Sequence, residues 1–243
     1  MCGIIGILGA DPAAPRLVQA LKLLEYRGYD SAGVATLENG AITRRRAAGK
    51  LANLAAELEK APLAGGSGIR HTRWATHGAP TTGNAHPHAT DKVAIVHNGI
   101  VENFRALREE LQKAGHKFSS ETDSEVIAHL ITDYLDKGQK PEQAAISAVR
   151  RLEGAFGIAV LFAGDDDILG GARKGSPLAV GLGDGENFLG SDAIALSPFT
   201  QRVMFLEEGD IAVLSRTKVK VLDAQGMVAE RRVHVFAGGA AAA

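Results

Sequence analysis

Met1-Cys2-Gly3-Ile4-Ile5-Gly6 opens the chain and contains its single cysteine. From Gly3 to Gly9 the residues are apolar or glycine, which reads as a short buried strand. Cys2 therefore stands at the entrance to that strand. Initiator methionine is normally trimmed before a small residue, and trimming Met1 would give Cys2 a free α-amine beside its thiol. A free α-amine titrates near ~8 and a free thiol near ~8.5, so a share of the amine is unprotonated at neutral pH and can take the thiol proton. An N-terminal amine serves as base for threonine nucleophiles, and the same logic suits cysteine. If Met1 stays, that amine is lost. Read alone, Cys2 could equally be a small buried hydrophobe, so the decision rests on its company.

The rest of the composition narrows the class. With 243 residues the chain can bury one large core or two small ones. Apolar residues at 45% and charged residues at 23% are those of a globular protein. The net charge of −1 gives no electrostatic footprint for nucleic acid or an anionic membrane. One cysteine excludes an internal disulfide and a cysteine-based zinc cluster, and fits a reducing compartment. The apolar run Ile4 to Ala10 is too short to span a bilayer and lacks a preceding basic region. A cytoplasmic protein is expected, and a homo-oligomer is compatible with the sequence.

Along the chain, Asp11-Pro12 is a helix start, followed by Leu17, Leu21 and Leu24 on one face up to Tyr26. Ser31 to Leu37 reads as a strand, and Asn39-Gly40 as a two-residue hairpin turn into Ile42 to Arg46. A short amphipathic helix over Leu51 to Leu58 precedes a strand at Gly68 to Arg73. The polar stretch Thr76 to Asp91 is long for a loop inside a compact domain, which marks it as functional or disordered. Lys92 to Val96 is a strand that stops at His97-Asn98-Gly99; helices follow over Asn103 to Ala114, Thr122 to Leu135 and Pro141 to Arg151. From Phe156 the pattern turns to short strands: Phe156 to Phe162, Ile168 to Ala172, Leu178 to Leu182, Phe188 to Ser191, Val203 to Phe205, Asp210 to Leu214, Lys218 to Leu222 and Met227 to Val233. Many strands joined by tight turns argue for α+β with antiparallel sheets.

Three further clusters could carry chemistry beside Cys2. His97-Asn98-Gly99 reads most simply as a turn, but an amide side chain and an unobstructed backbone N–H also make an oxyanion hole. Arg70 to Gly78 reads as an edge strand, or as a carboxylate site in which Arg73 forms a two-pronged pair and Thr76 and His77 add donors. Trp74, the lone tryptophan, could act as a lid there. Ser120 to Glu125 reads as a helix cap, or as an acidic grip for an ammonium. His86-Pro87-His88 with His71, His77 and His97 offers a metal reading, but no companion acidic motif accompanies it. Gly181 to Gly185 lacks dinucleotide spacing and reads as strand and hairpin.

Cys2-Gly3-Ile4-Ile5-Gly6, Glu25-Tyr26-Arg27-Gly28-Tyr29-Asp30-Ser31-Ala32-Gly33, His71-Thr72-Arg73-Trp74-Ala75-Thr76-His77-Gly78, Asn84-Ala85-His86-Pro87-His88, Val96-His97-Asn98-Gly99-Ile100 and Glu121-Thr122-Asp123-Ser124-Glu125 together resemble the glutaminase domain of the glucosamine-6-phosphate synthase family, the glutamine–fructose-6-phosphate aminotransferases. The resemblance runs from Cys2 to about Val235, with the motifs in order. It implies an N-terminal-nucleophile hydrolase fold: a four-layer α/β/β/α sandwich of two antiparallel sheets. It implies Cys2 as nucleophile with its α-amine as base, and Asn98 and Gly99 as the oxyanion hole. Arg73 would bind the glutamine carboxylate with Thr76 and His77, and Asp123 with Gly99 would bind its ammonium. Trp74 and Arg27 would gate the mouth, and His86 and His97 would hold nearby loops. L-Glutamine is the implied substrate, with no cofactor and no metal. Family members continue into sugar-isomerase domains that bind fructose 6-phosphate, and this chain stops before them. The implied glutaminase domain spans 2–235, with 236–243 as a tail. The alternatives are a metal-dependent amide hydrolase built on the histidines and a non-catalytic glutamine-binding regulatory domain.

Overall fold

In the computed structural model, residues 2–22, 30–74 and 78–236 are described. Cys2 leads into β1 (Gly3–Leu8), which is buried along its whole length. α1 (Ala13–Lys22) returns across it, and the hairpin β2 (Ser31–Glu38) and β3 (Ala41–Ala48) turns at Asn39 and Gly40, both at positive φ. Two consecutive left-handed residues match the strand twist, which is why Asn-Gly signals this turn so well. α2 (Leu51–Lys60) and β4 (Ser67–Arg73) follow, as their apolar periodicity predicts.

The second sheet is built on β6 (Val93–Val101), flanked by the short β5 (His88–Ala89) and by β7 (Gly154–Phe162), which leads to β8 (Asp165–Lys174). Between β6 and β7 come α3 (Phe104–Lys113), α4 (Glu125–Asp136) and α5 (Pro141–Val149). β9 (Ala179–Leu182), β10 (Asn187–Gly190) and β11 (Arg202–Phe205) return to the first sheet, with the one-turn α6 (Ala193–Leu196) between the last two. β12 (Ile211–Leu214) and β13 (Val219–Leu222) extend the second sheet, and β14 (Val233–Val235) closes the edge of the first. The strand orders are β14-β11-β9-β10-β1-β4-β2-β3 and β13-β12-β8-β7-β6-β5, and every strand pairing is antiparallel.

Alternation along the strands explains the layers. Ile5 and Ile7 pack with Leu17, Leu51 and Leu54, so one face of the first sheet carries α1 and α2. Ile4 and Leu8 pack instead against Val96, Leu161 and Leu169 of the second sheet. Val93, Ile95, Ile158 and Val160 cover the far face and receive α3, α4 and α5. The result is the α/β/β/α sandwich that the motifs imply. A buried Arg70 ties the first helix down, its Nη1 donating to the Leu17 carbonyl at 2.5 Å.

Three sequence expectations are corrected. The strand expected to stop at His97 continues to Val101, because β7 pairs with it in register through Asn98↔Gly157 and Gly99↔Phe156. The helix expected from Thr122 begins at Glu125, with Ser124 as its cap; Ser120 and Asp123 before it are tied instead by hydrogen bonds to the Glu125 carboxylate and from the Val101 N–H. The final strand lies at Val233–Val235, not Met227–Val233, since the earlier residues form a turn closed by Asp223. The first helix is described as far as Lys22, so the expectation for Leu24 to Tyr26 lies outside the described residues.

Candidate active site

The site forms where β1 begins, β4 ends and β6 passes beneath them. Gly3 N donates to Thr72 Oγ1 at 3.0 Å and Ile4 N to Ser191 Oγ at 3.3 Å, fixing the first residues of β1. The Cys2 thiol is half-buried, and the Trp74 backbone N–H donates to Sγ at 3.0 Å. Burial pushes the thiol pKa up, the neighbouring Asp30 adds to that, and the Trp74 N–H and the Arg73 cation pull the other way. The net rise leaves a thiol that needs a base to become a nucleophile.

Asn98 reaches across the sandwich to this point. On β6, Ala94 and Val96 face the first sheet, so Asn98, of the same parity, faces it too. Its Nδ2 donates to the Cys2 carbonyl at 3.2 Å, and its Oδ1 lies 2.8 Å from His71 Nε2. His97, of opposite parity, turns to the helical layer, where Nδ1 meets Ser124 Oγ at 2.8 Å. Gly99 adopts φ +120°, and a Cβ there would stand 2.0 Å from the Ala155 carbonyl oxygen. Only glycine fits this place.

Arg73 lies two residues beyond His71 on β4, within the electrostatic reach of Cys2, Asp30 and Asp123. Its guanidinium donates to the carbonyls of Gly78 at 3.1 Å and Ala79 at 3.3 Å. Burial lowers its pKa, opposed by Cys2 when ionised and by Asp30 and Asp123. Asp123 is buried, and its Oδ2 accepts from Val101 N at 2.7 Å. The structure thus brings Cys2, Arg73, Asn98, Gly99 and Asp123 to one end of the sandwich. Trp74, whose backbone meets the thiol, is 55% exposed. Arg27, Thr76 and His77 lie outside the described residues.

The segment 78–87 is strapped over this end. Arg46 Nη1 donates to the Ala85 carbonyl at 2.9 Å and Arg44 Nη1 to the Pro87 carbonyl at 2.9 Å. Asn84 joins the strap to the segment that carries Asp123: Nδ2 donates to the Ala79 carbonyl, and Oδ1 accepts from Glu121 N at 2.9 Å. Gly33 passes so close beneath that a Cβ would stand 2.0 Å from the His86 carbonyl. His86 is packed between His71, at 4.2 Å between ring centroids, and His88, at 4.6 Å. Burial drives His71 and His88 down to about 3, and lowers His86 and His97 in the same direction. These are neutral packed rings. Among the described residues no three histidine, cysteine or carboxylate side chains are grouped to hold a metal ion.

Thr72, Ser191, Asn84 and Ser124 escape a sequence reading. Polar residues at strand and loop positions carry no individual signal until their partners are known. His71 had one available: it sits two residues before Arg73, on the same strand face.

A thiol at the head of β1, in a sandwich of two antiparallel sheets with helices outside, is the arrangement that the motifs imply. The chain belongs to the glutamine amidotransferases: the family described as the glutamine amidotransferase domain matches residues 71–197, more than half of it. Among curated relatives, the glutamine–fructose-6-phosphate aminotransferase (isomerizing) of Bradyrhizobium diazoefficiens is 59% identical over 231 residues, covering 95% of this chain and 38% of that protein. Its namesake in Mesorhizobium japonicum is 60% identical over 232 residues, covering 96% and 38%. The chain therefore spans about 38% of the length of these relatives. The solved glutamine phosphoribosylpyrophosphate amidotransferase of B. subtilis superposes with a TM-score of 0.78 at 23% identity, covering 93% of this chain and 50% of that one. At that identity the likeness speaks for the fold. No helix among the described residues is long and apolar enough to cross a membrane.

Proposed function

We propose that this chain hydrolyses the side-chain amide of L-glutamine to glutamate and ammonia, and that 2–235 is the unit that does so. The observation that carries the reading is the Cys2 thiol on the Trp74 amide, with the Asn98 amide one hydrogen bond from the Cys2 carbonyl. Arg73 and Asp123 offer opposite charges for the carboxylate and ammonium of an α-amino acid. Once Met1 is removed, the Cys2 amine takes the thiol proton and the sulfur attacks the carboxamide carbon. Asn98 and the Gly99 N–H receive the developing oxyanion. The amine returns the proton to the departing ammonia, and water then cleaves the γ-glutamyl thioester. Thr76 and His77 are proposed to complete the carboxylate site, with Trp74 and Arg27 at its mouth and His86 and His97 as supports. In a longer protein like the relatives, the ammonia would pass to fructose 6-phosphate on covalently attached sugar-isomerase domains. The metal-dependent and non-catalytic alternatives gain no support from the packed histidines.

Intact mass before and after exposure to 6-diazo-5-oxo-norleucine tests the reading. The expected result is a chain beginning at Cys2 that gains one adduct on that residue and loses glutaminase activity with it. Glutamate release by Cys2→Ala at the wild-type rate would overturn the assignment.

A further inference from the structure

The oxyanion donor proposed above, Asn98, carries a planar amide whose two ends are chemically opposite. Turned one way it presents N–H to a substrate; turned the other, it presents a lone pair. The backbone of β6 does not choose between them. Two contacts do: Nδ2 on the Cys2 carbonyl at 3.2 Å and Oδ1 on His71 Nε2 at 2.8 Å.

His71 is placed for this by register. It pairs with Ile4 across β1 and β4, and Ile4 faces the second sheet, so His71 points across the sandwich at Asn98. Its ring is buried and backed by His86 at 4.2 Å between centroids. A carbonyl oxygen cannot donate, so the Cys2 carbonyl requires N–H from Asn98 and leaves Oδ1 for His71. An Oδ1 facing Nε2 at this distance requires the proton on Nε2. The other neutral tautomer would set two lone pairs against each other and drive the amide to flip.

We infer that His71 is a positioning residue for glutamine hydrolysis: as the neutral Nε2–H tautomer it locks the Asn98 amide so that the second Nδ2 hydrogen is held for the oxyanion. The inference rests on the glutaminase reading. Burial, reinforced by His97 and Arg73, keeps the ring unprotonated against the pull of the Asn98 hydrogen bond, and this serves the role because a neutral ring orients Asn98 without adding a positive charge beside the thiol.

The experiment is a double-mutant cycle on the full chain, reading glutamate release. His71→Leu is expected to lower kcat about 10- to 100-fold, less than outright loss of an oxyanion donor, with KM changed less than about threefold. His71→Gln, which can place an N–H near the former Nε2, is expected to recover most of the loss. In an Asn98→Ala background His71→Leu should cost nothing further. Affinity for the aldehyde analogue of glutamine, which forms a tetrahedral adduct on the thiol, should fall with kcat/KM, while glutamate affinity holds. If His71→Leu does not fold, the Gln variant in the same cycle and the ¹⁵N-histidine NMR spectrum of the wild type decide. An Nε2–H signature for His71 supports the inference, and an Nδ1–H signature overturns it. An unchanged kcat, or losses that add in the double mutant, also overturn it. A correctly processed wild type that releases no glutamate overturns the glutaminase reading itself, and this inference with it.

Discussion

Asn98 is the residue on which the proposed chemistry beside the thiol turns, since its side chain spans the sandwich to touch the Cys2 backbone. Removing one oxyanion donor typically costs on the order of 10²–10³ in rate, because the donor strengthens its bond only as charge develops. Asn98→Ala is therefore expected to lower kcat by about that factor with little change in KM, in a steady-state assay of glutamate release. A KM effect with kcat preserved would instead mean that Asn98 only holds substrate. Sequence alone offers Asn98 two roles, turn or donor. β7 pairs with the segment and removes the turn, and the donor role is the one proposed. Cys2, Arg73 and Asp123 are legible from the motifs, whereas Thr72 and Ser191 acquire meaning only when β1 is laid beside its neighbours.

At the level of elements, one glycine on β6 and one on β2, beneath the 78–87 strap, set the local geometry. Gly99→Ala would force a Cβ against the Ala155 carbonyl at a φ of +120° that side chains avoid. The expected outcome is loss of activity by at least 100-fold together with destabilisation of about 2 kcal/mol or more, read in a urea unfolding curve. Gly33→Ala meets the His86 carbonyl instead and pushes the strap outward. Because Arg73 is bonded to the near end of that strap, KM for glutamine should rise several-fold while kcat holds. An unchanged KM would separate the strap from substrate binding. The strap's length was evident from its Gly, Pro and polar composition. Its anchorage on Arg44 and Arg46 was not, since strand arginines look the same whether solvated or bonded to a distant backbone.

For the molecule as a whole, the buried histidines couple stability to pH. His71 and His88 titrate near about 3 in the folded chain, and His86 and His97 are shifted the same way. In the unfolded chain each would titrate near ~6.5. The unfolded state thus takes up protons first as pH falls, so the stabilisation is complete above about pH 6.5 and drains away from there towards 3. Arg44, Arg46 and Arg73 press in the same direction, while Glu125 and Asp123 oppose it at His88 and His97. At pH 5.5 His71 and His88 should each cost about 1 kcal/mol relative to pH 7.5, together lowering the urea midpoint by on the order of 1 M, with His86 and His97 acting in the same direction. Glu125 adds to this in stronger acid. Burial alone would raise its pKa, yet hydrogen bonds from His129, Ser120 and Ser119 hold it well below the usual carboxylate range, so its contribution is lost as it protonates. A midpoint that does not move between pH 7.5 and 5.5 would mean that the rings are wetter than the packing indicates.

The sequence by itself determined the class of the fold, because its alternating strands, tight turns and helical blocks follow from local periodicity and turn chemistry. It also singled out the residues proposed as the nucleophile and its companions, because one cysteine at position 2 and a set of ordered motifs leave few other assignments. Only the tertiary structure decided which strands share a sheet and that β6 runs on through Asn98 and Gly99. It also decided that Asn98 faces Cys2 while His97 faces Ser124. The physical reason is that side-chain parity is fixed along a strand, but which face meets the other sheet depends on pairings between residues far apart in sequence.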